Sequence, residues 1–166
     1  MQKVLVVYES MFGNTHDVAE AVAVGLRASL DVALVDVADA PLEIPDDVDL
    51  VVVGGPTHAF GMSRPSTRQS AVEQGADPHA GEHIGLREWI AGVVAPEGIP
   101  TAAFDTKVAK PHLPGSAAKA AERKLRHRGF KQLVHPESFF VAGTTGDLLD
   151  GELERARAWG ESLAAA

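Results

Sequence analysis

Lys3-Val4-Leu5-Val6-Val7-Tyr8-Glu9-Ser10-Met11-Phe12-Gly13-Asn14-Thr15 joins an apolar run to a polar loop and the start of an amphipathic segment. Lys3 to Val7 is a continuous apolar run of strand length, as expected for a strand buried on both faces. A polar loop containing one glycine follows. A helix is then predicted from about Thr15 to Ser29, because Val18, Val22, Leu26 and Ser29 fall along one stripe. A buried strand feeding straight into an amphipathic helix is the opening of an α/β chain, and the same unit recurs downstream.

Further strands are expected at Asp31 to Val37, Leu50 to Val53, Thr101 to Phe104 and Ser138 to Ala142. Pro41 and Pro45 leave only a short or irregular helix after the second strand. Helices are expected from Leu86 to Val94, from Ser116 as N-cap to about Arg128 with Gly129 as its stop, and from Gly151 to Leu163 with Asp150 as N-cap. Five strands separated by helices imply a parallel sheet with right-handed crossovers. No composition shift marks a linker, so residues 1–166 read as a single domain.

Composition removes several function classes. The net charge is −8, from 23 acidic and 15 basic side chains, the wrong sign for a general nucleic-acid binder. The apolar runs are too short to span a bilayer, and the chain opens without the build of a signal peptide. There is no cysteine, which removes disulfides, thiolate metal sites and a cysteine nucleophile. These features point to a soluble cytoplasmic protein. Asp31 to Asp49 is acidic throughout and Lys119 to Lys131 is largely basic, an asymmetry that suits either steering of a charged partner or an ordinary solvated face.

In an open parallel sheet, ligands bind beyond the carboxyl ends of the strands, at the switch point. Ser10, Met11, Phe12, Gly13, Asn14 and Thr15 occupy that place. The loop carries hydroxyls, a glycine and an amide but no cation, so a phosphate there would be held by backbone N–H groups, hydroxyls and the helix dipole. An N-capped turn without a ligand is the plainer alternative. The lysine of an NTPase loop and the Gly-x-Gly-x-x-Gly of a dinucleotide fold are both missing.

The loop resembles the phosphate loop of flavodoxins, Thr/Ser-x-Thr-Gly-x-Thr, at Ser10, Gly13 and Thr15, with Phe12 where the middle hydroxyl usually lies. The resemblance implies a flavodoxin-like doubly wound α/β fold, a five-stranded parallel sheet in the order 2-1-3-4-5 with helices on both faces, and FMN as cofactor. The last strand, without the insertion of longer members, is similar to that of the shorter-chain flavodoxins. The resemblance assigns the segment Pro56-Thr57-His58-Ala59-Phe60-Gly61 to the flavin: Thr57 to the phosphate, and His58 or Phe60 to one ring face. It makes Gly61 the pivot at which a peptide rotates toward the half-reduced flavin. It assigns backbone N–H groups of Asp105 and Thr106 to the pyrimidine edge; in place of the aromatic ring that flavodoxins usually set on the outer face, this chain offers only His112 nearby, with Lys107 and Lys110 as cations able to favour reduced flavin. His16 would add partial positive charge.

Met62 to His83 is long for a connection in a compact domain, as partner-docking segments, lids and surface insertions are. Only Ala71 to Gln74 suggests a helical turn in it. His79 and His83 match no metal motif, and Trp89 and Trp159 read as core. The leading function is a low-potential one-electron carrier between a reductase and acceptor enzymes, monomeric and without catalytic residues, docking on basic redox partners. Gly55-Pro56-Thr57-His58-Ala59-Phe60-Gly61 also resembles the Gly-x-Pro-Thr-x-Phe-Gly loop of NAD(P)H:quinone oxidoreductases, with one extra residue before the Phe. A flavin-free binding module on the same fold is the third reading.

Overall fold

The computed structural model describes residues 2–79, 83–110 and 114–166. Its sheet is parallel throughout and begins with β1 (Lys3–Tyr8), which lies between β2 (Asp31–Asp36) and β3 (Val48–Pro56). β4 (Pro100–Val108) adds to the far side of β3. The order is therefore 2-1-3-4-5, as the resemblance implies. The edge position is divided into β5 (Lys131–Gln132) and β6 (Glu137–Val141), which pair with the start and the end of β4. Pro136, lacking an N–H for the ladder, sits in the break between them.

β1 is central, which explains why its apolar run does not alternate. Leu5 and Val7 pack on one side of the sheet, with Trp89, Ile90 and Leu125. Val4 and Val6 pack on the other, with Val18, Val22 and Leu26 of α1 (Asn14–Arg27) and Ala156 and Leu163 of α5 (Glu152–Ala165). Phe104, Phe139 and Trp159 meet edge to face, with centroids 5.9 to 6.1 Å apart, an arrangement aromatic quadrupoles favour. Trp89 is fully buried and its Nε1–H donates to the Pro41 carbonyl at 3.0 Å, so both tryptophans belong to the core.

Several elements differ from the expected limits. β3 and β4 run three and four residues past the predicted ends, to Pro56 and Val108. A residue at a strand's carboxyl end still completes ladder hydrogen bonds after hydrophobic patterning stops. The long segment holds a full helix, α2 (Pro65–Glu73), where a single turn was expected. Gly151, not Asp150, caps α5, with φ of 83°. α3 (Leu86–Gly92) and α4 (Ala117–His127) lie close to their expected places. Among the described residues, no helix is long and apolar enough to cross a membrane.

Candidate flavin-binding site

The carboxyl ends of β1, β3 and β4 open on one cleft. Asn14, Thr15, Thr57, His58, Thr106 and Lys107 are among its lining residues, as are Met11 and Phe12. The chain thus brings the loop after β1, the turn after β3 and the end of β4 together.

Each residue of the first loop has a traceable task. Ser10 Oγ accepts from the Gly13 N–H at 3.1 Å, closing the loop on itself. Gly13 sits at φ 98°, and this left-handed turn starts α1. A side chain there would meet nothing within 4 Å, and Asn14 and Thr15 at the start of α1 line the cleft. The N–H groups of the first helical turn, at Asn14, Thr15 and His16, have no intrahelical acceptor. Thr15 is buried, and its Oγ1 lies 2.7 Å from Thr106 Oγ1. In such a pair one hydroxyl can accept from the other while donating into the cleft. Asn14 Nδ2 donates to the Gly146 carbonyl at 2.6 Å, fastening the loop to the segment after β6.

Phe12 is only half-buried and packs on Met11, Ala71 and Ala76. Its place in the loop is therefore that of an apolar anchor for α2. His16 turns away from the helix N-terminus: Nδ1 is 3.1 Å from Asp17 and Nε2 is 3.7 Å from Glu20. The ring thus sits between two exposed carboxylates, one beside each nitrogen.

The turn after β3 is built of paired hydrogen bonds. His58 N donates to the Gly61 carbonyl at 2.7 Å and Gly61 N to the His58 carbonyl at 2.9 Å. The positive φ angles fall on Ala59 (45°) and Phe60 (72°), the two residues just before Gly61. Two successive left-handed residues define a type I′ turn, which glycine and asparagine normally occupy. The Phe60 ring is 63% exposed. His58 is turned inward, with Nδ1 3.1 Å from Thr67 Oγ1 of α2. Burial, reinforced by the nearby Arg68 guanidinium, lowers its pKa from 6.5 to about 4, so the imidazole is neutral at physiological pH.

Asp105 and Thr106 do not occupy a loop. Both lie in β4, in register with Gly55 and Pro56 on one side and Ser138 and Phe139 on the other. The Thr106 carbonyl accepts from Thr57 N at 2.9 Å. Asp105 is fully buried; its Oδ2 accepts from Ser116 Oγ at 2.5 Å and from Ala118 N at 3.0 Å, an anchor for the start of α4. Thr57 Oγ1 accepts from Ala117 N at 3.1 Å. Lys107 Nζ donates to the Gly115 carbonyl at 2.7 Å. Gly115, at φ 91°, rests directly on the Phe60 backbone: an added Cβ would lie 2.2 Å from the Phe60 carbonyl oxygen. The loops after β3 and β4 therefore touch. His112 lies outside the described residues.

A buried polar cluster below the cleft has no counterpart in the sequence reading. The Glu9 carboxylate accepts from Ser63 Oγ, and its Oε1 from Leu86 N at 2.7 Å. Arg68 donates to Ser63 Oγ at 2.9 Å and pairs with Glu88 at 2.6 Å. Burial pushes the Glu9 carboxyl above the usual carboxylate range, while Ser63, Leu86 and Arg68 oppose that shift. The one available signal was Pro65, which at a first helical position announces α2 and with it the inward face carrying Arg68.

The family model described as Flavodoxin matches residues 6–83. No curated protein matches significantly. The chain is similar in structure to oxidised flavodoxin 1 from Bacillus cereus, with a TM-score of 0.72 at 17% identity, covering 99% of this chain and 98% of that one. It is also similar to a flavodoxin from the domain Archaea, with a TM-score of 0.65 at 22% identity over 99% and 97% of the two chains. A flavodoxin, WrbA-like protein from Agrobacterium tumefaciens gives 0.59 at 19% identity over 99% and 96%. The flavodoxin model thus covers the N-terminal part of the chain, and the whole chain has the flavodoxin fold.

Proposed function

We propose that the chain binds FMN and carries electrons one at a time between a reductase and an acceptor protein. The observation that carries this reading is the cleft itself. The N-terminus of α1, the Thr15–Thr106 hydroxyl pair and Thr57 converge there without a cation from the first loop. That donor set suits a phosphate monoester, which neutral donors can hold in place of water. When bound, FMN supplies the one-electron chemistry.

The chain's own residues bind and orient. Thr15 and the first N–H groups of α1 hold the phosphate, while Ser10 and Asn14 keep the loop in shape. The enclosed volume is about 80 Å³, well below the roughly 300 Å³ of enclosed small-molecule pockets. It fits the phosphate end. The ring would lie between the His58–Gly61 turn and the Lys107 side of β4. The acidic surface, with a net charge of −8, suits docking on basic partner proteins.

Quenching of flavin fluorescence measures the affinity. FMN is expected to bind more tightly than riboflavin, and Thr15→Val to weaken FMN roughly tenfold while leaving riboflavin unchanged, as loss of one charge-assisted hydrogen bond predicts. Equal affinity for the two flavins would remove the phosphate site from the account. Steady NAD(P)H oxidation with a quinone and no added reductase would replace the carrier by an oxidoreductase.

A further inference from the structure

We infer that Glu9, Ser63, Arg68 and Arg87 form a clamp that positions the His58–Gly61 turn against the phosphate loop. The inference rests on the flavin-binding reading, and it concerns how the two halves of that site keep their spacing. Glu9 immediately precedes Ser10, and Ser63 follows Gly61 by two residues. The Ser63 hydroxyl donates to Glu9 and accepts from Arg68 Nη1 at 2.9 Å, so one small side chain joins the end of β1 to α2. Arg87 of α3 grips the same residues from the other side. Its Nη2 donates to the Met62 carbonyl at 2.9 Å and its Nε to the Ser63 carbonyl at 3.2 Å.

The burial of these groups is out of proportion to a role in packing. Glu9, Ser63 and Arg68 are each at most 3% exposed. A buried ion pair stabilises little relative to apolar residues of the same volume, but it admits only one arrangement. The structure reserves space for that arrangement: a Cβ on Gly85 would lie 2.2 Å from Arg68 Nη1, 2.8 Å from Glu9 Oε1 and 2.9 Å from Ser63 Oγ.

The turn has reason to need an anchor. Ala59 and Phe60 both occupy the left-handed region, which L residues enter only when their surroundings over-determine it. Upstream the turn is held by Thr57, bonded to Thr106 and Ala117. Downstream Met62 and Ser63 are held by the clamp, and His58 leans on Thr67, one residue before Arg68. These are positioning residues: they reach a bound flavin only through the turn.

Amide hydrogen exchange and flavin titration, applied to Ser63→Ala and to the milder, partly exposed Arg87→Gln, test this. In the flavin-free protein, exchange at the His58 and Gly61 amides is expected to accelerate roughly threefold to tenfold, as loss of one hydrogen bond implies, with α1 amides from Val18 to Leu26 unchanged. FMN and riboflavin affinities should fall by one common factor, because the phosphate loop is untouched. Unchanged exchange at His58 and Gly61, or equal acceleration throughout α1, would overturn the clamp. If the wild-type protein bound neither flavin, the functional reading would fail while the exchange result still decided the clamp. Should Ser63→Ala not fold, Arg87→Gln decides both arms.

Discussion

Replacing His58 by asparagine keeps a hydrogen-bonding group opposite Thr67 Oγ1 and removes the titration. In the native protein the imidazole stays neutral until about pH 4, whereas in the unfolded chain it takes up a proton near its ordinary 6.5. Between these values the unfolded state binds more protons, so stability falls as pH falls. The contribution is fully present above about pH 6.5 and is lost by about pH 4. The interval, 6.5 − 4, is about 2.5 pH units, or at most about 3 kcal/mol, and partial solvent contact of the ring brings the expectation to about 2 kcal/mol. The Glu9 carboxyl, raised by burial, has the opposite sign, losing stability as pH rises. It is common to both proteins and cancels in the comparison. Urea unfolding of wild type and His58→Asn at pH 7, 6, 5 and 4, followed by fluorescence of the buried Trp89, measures the difference. The wild type should lose about 2 kcal/mol more than the variant between pH 7 and 4. Parallel curves, or an imidazole resonance titrating near pH 6.5, would refute the buried neutral histidine.

Gly85→Ala should cost roughly 2 to 3 kcal/mol of stability, because its Cβ meets the locked Arg68, Glu9 and Ser63 groups and not open space. Thermal unfolding checks this, and a loss within a few tenths of a kcal/mol would show that the cluster yields readily. Phe12→Thr restores the hydroxyl of the flavodoxin loop, yet it should lower stability by about 1 kcal/mol through lost packing on Met11, Ala71 and Ala76. It should not tighten FMN binding, and a tenfold gain in FMN affinity would show that the ring occupies a phosphate-donor position.

The parts of the fold that rest on hydrophobic patterning were legible. Val4 to Val7 and Val51 to Val53 are buried on both faces, and a central parallel strand has no other way to read. The extra reach of β3 and β4 was not, because Gly54, Gly55, Asp105 and Thr106 carry no apolar pattern and are held by ladder hydrogen bonds and, at Asp105 and Thr106, by side-chain hydrogen bonds to residues distant in sequence. This is also why Asp105 and Thr106, expected in a loop, lie within a strand. Convergence of Thr15, Thr57 and Thr106 follows from topology, since successive strand ends point the same way. The Thr15–Thr106 hydroxyl pair, 91 residues apart, needed the register of the sheet. The Glu9–Ser63–Arg68 cluster was invisible for a related reason: burial of a charge is decided by partners distant in sequence, and each member alone reads as a surface residue. The positive φ angles at Ala59 and Phe60 run against local propensity, so the sequence pointed to Gly61 instead.

A flavin held in this cleft would pass electrons singly. Stepwise anaerobic reduction of the FMN-loaded protein, followed by its absorption spectrum, tests it most directly. A long-lived spectrum of one-electron-reduced flavin is expected between the oxidised and fully reduced forms. A direct two-electron conversion, or a flavin that leaves the protein on reduction, would contradict it.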